Sequence, residues 1–121
     1  MTYRTKEQLT ADELQVLEVL MKENEKIVSK YGEKYRQTEQ RQIEYLQIAG
    51  WNSLEEMRRS ELIGLISDTF KDLWGYRPRW NYPSMSTEEL EQSAAQLTQR
   101  AQEEFEAYQR EQEEQDRMAV K

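Results

Sequence analysis

Asp68 and Asp72 lie one helical turn apart, and Glu61 lies seven residues before Asp68. Carboxylates at that spacing share one face of a helix. Such a face can hold a magnesium ion or divide acid and base roles between its members. Lys71 and Ser67 stand among them as a candidate base and a candidate nucleophile. The competing chemistry is ion pairing with Lys71, Arg77 and Arg79. In a chain with 24 acidic residues such spacings also arise by chance. There is no histidine and no cysteine. Their absence removes the commonest general base, the commonest metal ligands and the thiolate nucleophile. The balance points away from an enzyme, and no cofactor or metal is expected.

A second constellation sits in "LISDTFKDLWGYRPRWNYP", residues 65–83. It gathers Trp74, Tyr76, Arg77, Arg79 and Trp80, and the remaining tryptophan is Trp51. Trp, Tyr and Arg are the residue types that dominate binding hot spots. Arginines alternating with aromatic rings can also stack on bases. A purely structural role competes with both readings. Trp74 and Tyr76 can close the core, while Arg77 and Arg79 pair with Asp68 and Asp72 or cap the end of a helix. One arginine can be structural while the other faces a partner. As a binding surface, the aromatics would anchor and the arginines would fix orientation, with Asp68, Lys71 and Asp72 in support.

These residues need elements to carry them. The chain has 121 residues, 36% of them apolar and 34% charged, with only 4 glycines and 2 prolines. The apolar share lies below the roughly 45–50% of ordinary globular chains. Long helices with narrow apolar stripes suit that balance, and the scarcity of turn residues argues against an all-β fold. No cysteine means no disulfide framework. No apolar run suits a signal peptide or a membrane span, so a soluble, cytoplasmic protein is expected.

Three capping boxes mark helix starts: Thr10 with Glu13, Ser53 with Glu56, and Ser86 with Glu89. After the first, Leu14, Leu17, Met21, Val28, Tyr31 and Tyr35 recur at coiled-coil-like spacing. The spacing predicts one helix from 11 to about 48, bent at Gly32, with two helices and a turn as the alternative. The second start leads into the most apolar stretch, with Leu62, Ile66, Phe70 and Leu73 on one face and Ile63 and Trp74 beside them. This should be the central helix. Gly50 and Gly75 are placed to end helices in the left-handed conformation. The third start opens a stripe of Leu90, Ala94, Leu97, Ala101, Phe105 and Tyr108, and 109–117 hold no apolar residue. The expectation is one all-α domain over 1–121 with three or four helices. Residues 1–9 would form a polar lead-in, and 109–121 a frayed or solvated tail.

Charge is unevenly spread. Residues 1–60 hold 10 basic and 11 acidic groups, 61–86 hold 3 of each, and 87–121 hold 4 and 10. A nearly neutral first half does not favour non-specific nucleic-acid binding. The last helix, with carboxylates such as Glu103, Glu104 and Glu111, could imitate the phosphate line of DNA and compete for a basic groove. An ordinary solvated helix face has the same composition.

The core of the second constellation resembles a pattern found in small proteins of tailed bacteriophages. Ser67-Asp68-Thr69-Phe70-Lys71-Asp72, then Gly75, then Arg77-Pro78-Arg79 matches "SDxxKDxxGxRPR". In those proteins an "SMS-EEL"-like helix start follows, and here residues 84–90 read "SMSTEEL". The resemblance covers roughly residues 60–92. It implies an origin, a phage accessory protein acting in a bacterial host cytoplasm, and implies no activity. The resulting expectation is a non-enzymatic protein that binds a host or phage protein. A homodimer is open if part of an apolar stripe stays uncovered. An acidic DNA mimic and an Arg/aromatic nucleic-acid binder are the alternatives.

Overall fold

The structure, a computed structural model, describes residues 2–119. Among them are four α-helices and no strand: α1 Ala11–Tyr31, α2 Glu39–Ala49, α3 Leu54–Trp74 and α4 Thr87–Ala119. Single 3-10 turns lie at Lys6–Gln8, Glu33–Tyr35 and Tyr82–Ser84. The all-α class and the long first and last helices are as the periodicity predicts. The chain divides into two compact units, Met1–Arg58 and Arg59–Lys121.

In the first unit, α1 starts where the capping box places it. The Glu13 amide donates to Thr10 Oγ1 at 3.1 Å and the Thr10 amide donates to Glu13 Oε1 at 2.9 Å. Glu13 is also buried, at 2% exposure. A buried carboxylate needs a partner, and Arg4 supplies one by donating to both oxygens, at 2.9 and 2.5 Å. The Arg4 fork, aided by Thr10, holds the Glu13 carboxyl below the usual range against the upward push of burial. The core beneath it joins Leu9, Val16, Leu17, Ile43, Leu46 and Met57.

The single helix from 11 to about 48 does not form. Gly32 takes φ 111° and ψ 169°, far from helical values, and α1 stops at Tyr31. Gly32 closes α1 by donating its amide to the Val28 carbonyl at 2.8 Å. Asn24 fixes the chain beyond it, donating to the Tyr35 carbonyl at 3.0 Å and accepting from the Gln37 amide at 2.9 Å. Arg36 adds ion pairs to Glu33 and Glu25. Thr38 then caps α2 by accepting from the Arg41 amide at 3.2 Å. The buried line of α1 is also displaced from the predicted stripe. Leu17 and Val28 are buried, but Leu14 and Met21 are each 38% exposed, and Val16 and Glu13 take the inward positions. Val16 and Leu17 are the α1 residues that pack on Leu9, Ile43, Leu46 and Met57, and beyond the break at Gly32 Tyr31 and Tyr35 no longer continue one helix face, both rings staying exposed.

In the second unit the sequence pattern is followed closely. Leu62 and Ile66 of α3 pack with Leu90, Ala94 and Leu97 of α4, flanked by Ile63, Phe70, Leu73, Tyr82 and Met85. Ile66 and Leu90 are fully buried, each worth about 1.5–3 kcal/mol of transfer free energy. Gly75 ends α3 with φ 82°, and its amide returns to the Lys71 carbonyl at 2.7 Å. The connection to α4 is strapped by Arg59. Its guanidinium donates to the Met85 carbonyl at 2.7 Å, the Tyr82 carbonyl at 3.2 Å and Thr87 Oγ1 at 3.1 Å. Ser86 starts α4 by accepting from the Glu89 amide at 3.1 Å. The helix then runs unbroken to Ala119, so the polar stretch 109–117 is helical, and every residue from 102 to 119 is exposed.

Candidate functional site

Phe70 organises the aromatic segment. It sits on α3 one turn before Trp74, a spacing that brings two side chains together on a helix. Its ring centroid lies 4.5 Å from that of Trp74, 5.5 Å from Tyr76 and 5.8 Å from Trp80. The Tyr76 and Trp80 contacts are edge-on, the arrangement that ring quadrupoles favour. Trp80 in turn meets Tyr82 at 6.4 Å. The left-handed turn at Gly75 sends the chain back over the end of α3, and the Arg59 strap holds the far side of the connection.

The cluster is only half inside. Trp74 is 41% exposed, Trp80 39% and Tyr76 63%. Phe70 takes the shielded place and the three others form a shared rim. Beside the rim, Trp74 and Trp80 line a groove of about 550 Å³ together with Leu97, Arg100, Glu103 and Glu104. The Arg100 guanidinium lies 5.3 Å from the Trp74 ring centroid, within reach of a cation–π attraction. Glu104 steadies that guanidinium at 3.6 Å.

The two arginines of the segment differ. Arg77 donates to Asp68 at 2.6 Å and to Ser67 Oγ at 2.9 Å. Both partners of this ion pair are more than half exposed, so it orients Arg77 and adds little stability. Arg79 is exposed, and among the described residues it makes no ion pair. Asp68 therefore steadies Arg77, whereas Lys71 and Asp72 are exposed and Asp72 does not reach Arg79. Among the described residues no three acidic side chains converge in a way that could hold a metal ion. The third tryptophan, Trp51, belongs to the first unit, where it packs on the core and meets Tyr45 at 5.4 Å.

Three contributors escape a reading of the sequence: Phe70 as the hub, Arg100 over Trp74, and Arg59 as the strap. The first had a signal, since Phe70 and Trp74 are four apart. The other two depend on contacts between elements, which spacing does not encode. No family model, no curated protein and no solved structure matches the chain. No helix among the described residues is long and apolar enough to cross a membrane.

Proposed function

We propose that this is a phage accessory protein that acts without catalysis, by binding a protein of the bacterial host or of the phage through the rim of Trp74, Tyr76, Arg77, Arg79 and Trp80. The observation that carries this reading is the incomplete burial of the rim. Three large aromatic rings are fixed around Phe70 yet keep 39–63% of their surface in water. Fixed rings lose little entropy on binding, which makes them effective anchors. Arg77, oriented by Asp68, and the free-standing Arg79 then supply donors for a carboxylate on the partner. The resemblance of residues 67–79 to the phage pattern supports the origin and leaves the partner open.

Two alternatives gain less support. A nucleic-acid surface would need Arg58, Arg59, Arg77 and Arg79 on one face, and Arg59 is engaged with the Tyr82 and Met85 carbonyls. An acidic DNA mimic would need a contiguous acidic face and a charge that is negative over most of its surface, whereas residues 1–60 hold 10 basic and 11 acidic groups.

The test is affinity capture from bacterial lysate with the wild type and an Arg77→Ala/Arg79→Ala variant, helicity being checked by circular dichroism. The reading predicts a discrete protein held by the wild type and lost from a variant that still folds. An identical captured set from both would overturn it.

A further inference from the structure

The apolar stripe of α4 outruns its own core. Leu90, Ala94 and Leu97 are buried against α3. At steps of four, four and three residues, Ala101, Phe105 and Tyr108 continue the same line, with Phe105 at 56% and Tyr108 at 60% exposure. Residues 102–119 form a helix exposed along its whole length, and only its first turn borders the Trp74–Trp80 groove, through Glu103 and Glu104. In proteins most helical stability comes from packing of an amphipathic face, and this stretch packs on nothing in the described chain past its first turn. Local pairs such as Gln99–Glu103 and Gln102–Glu106 give it some support, but they do not account for exposed rings on a single face.

The residues beside the stripe say what it fits. Placed in a seven-residue repeat, Phe105 and Gln112 take position a, and Ala101, Tyr108 and Gln115 take position d. The bordering g positions are then Glu104 and Glu111, and the e positions are Gln102, Gln109 and Asp116. No basic residue borders the stripe, and Arg110 and Arg117 fall at position f on the far side. In a coiled coil the e and g side chains select the partner. A second copy is poorly suited. Side by side in parallel, Glu111 would face Asp116 of the other copy, and in antiparallel pairing glutamates would face glutamates. Over residues 98–119 there are 3 arginines against 7 acidic residues, so self-pairing also gathers like charge.

We propose that α4 beyond Leu97 docks an amphipathic helix of a partner protein that carries lysine or arginine along both edges of its apolar seam. Phe105 and Tyr108 enter the seam, Gln112 and Gln115 set its register against polar partner residues, and Glu104, Glu111 and Asp116 pair with the cationic edges. Glu104 also lines the groove beside Trp74 and Trp80, but Phe105, Tyr108, Glu111 and Asp116 lie outside it, so the two surfaces are tested apart.

Defined peptides test this directly. One probe of about three heptads carries leucine at a and d, with asparagine at the two positions that would face Gln112 and Gln115, and lysine at e and g. A second has the same composition scrambled so that the seam is lost, and a third has glutamate in place of lysine. Binding is read by fluorescence anisotropy at low and at physiological salt. The expected result is that the lysine seam peptide binds at least about tenfold tighter than either control. A Phe105→Ala/Tyr108→Ala variant should lose at least about tenfold, while Arg77→Ala/Arg79→Ala binds as the wild type does. Phe105 and Tyr108 touch no core, so the variant should fold, and circular dichroism checks that. Equal binding of the scrambled peptide would reduce the effect to bulk charge and overturn the proposal. Unchanged binding by the Phe105→Ala/Tyr108→Ala variant would do the same. A dimer of the wild type in sedimentation at roughly tens of micromolar, abolished by that double substitution, would show that a second copy is the occupant instead.

Discussion

Replacing Arg59 by alanine should loosen the connection that presents Trp80. The side chain makes three hydrogen bonds there, to the Met85 carbonyl at 2.7 Å, the Tyr82 carbonyl at 3.2 Å and Thr87 Oγ1 at 3.1 Å. Hydrogen bonds from a charged donor contribute about 1.5–3 kcal/mol each when no water can replace them. Here the groups are part-buried, so water recovers some of the loss. The short Met85 bond carries most of the effect, and the net cost should be about 2 kcal/mol. For a chain of this size that is roughly 6–10 °C in Tm. Urea unfolding followed by circular dichroism should show a lower midpoint with little change in slope, since the core itself is intact. Tryptophan emission should move to the red as Trp80 gains water. Arg59→Lys should recover only part of the stability, because one ammonium group does not reproduce the planar fork. A loss below about 0.5 kcal/mol for Arg59→Ala, the range of an ordinary surface substitution, would refute the strap.

Other consequences follow from the two cores and their ends. Ile66→Ala, at a fully buried position among Leu62, Leu90 and Leu97, should cost about 2–5 kcal/mol; Leu65→Ala, at 46% exposure, should cost under about 1 kcal/mol, and denaturant titration of the pair checks the register of α3. Gly32→Ala should destabilise by about 1–3 kcal/mol. A Cβ there meets nothing within 4 Å, so the cost is the strained backbone at φ 111° alone, and Gly64→Ala, equally open but without a positive φ, is the control that should not destabilise in denaturant unfolding. Glu13 is harder to protonate folded than unfolded, because the Arg4 fork holds its carboxyl below the ordinary value. Its contribution is therefore complete above the ordinary glutamate range near pH 4.3 and is lost as pH falls through the depressed folded value. Stability measured from about pH 7 to about pH 3 should fall less steeply in Glu13→Gln than in the wild type.

The sequence was most legible where signals are local. The Thr10–Glu13 and Ser86–Glu89 starts, the stops at Gly50 and Gly75, and the Leu62–Ile66–Phe70 face all follow from residues within a turn or two of one another. Gly32 was ambiguous because a glycine inside a helical stripe reads the same whether it bends or breaks. What decided it were longer-range bonds from Asn24 to residues 35 and 37. Glu13 had two roles in one residue, as cap and as buried ion partner, and only the first is written in its neighbours. At the aromatic segment, composition indicated the right residues but not their arrangement. That Phe70 lies inward while Trp74, Tyr76 and Trp80 share the rim depends on the left-handed turn at Gly75 and on the strap from Arg59.

On the proposed function, the aromatic rim meets a protein. Photo-crosslinking tests it most directly, with Tyr76→p-benzoylphenylalanine, since Tyr76 is the most exposed ring of the rim at 63%. Expressed in bacterial cells and irradiated, that variant should form one discrete adduct with another protein, and the adduct should disappear when Arg77→Ala/Arg79→Ala is added. No adduct at Tyr76, or a smear no different from that given by the same probe at exposed Gln40, would contradict the account.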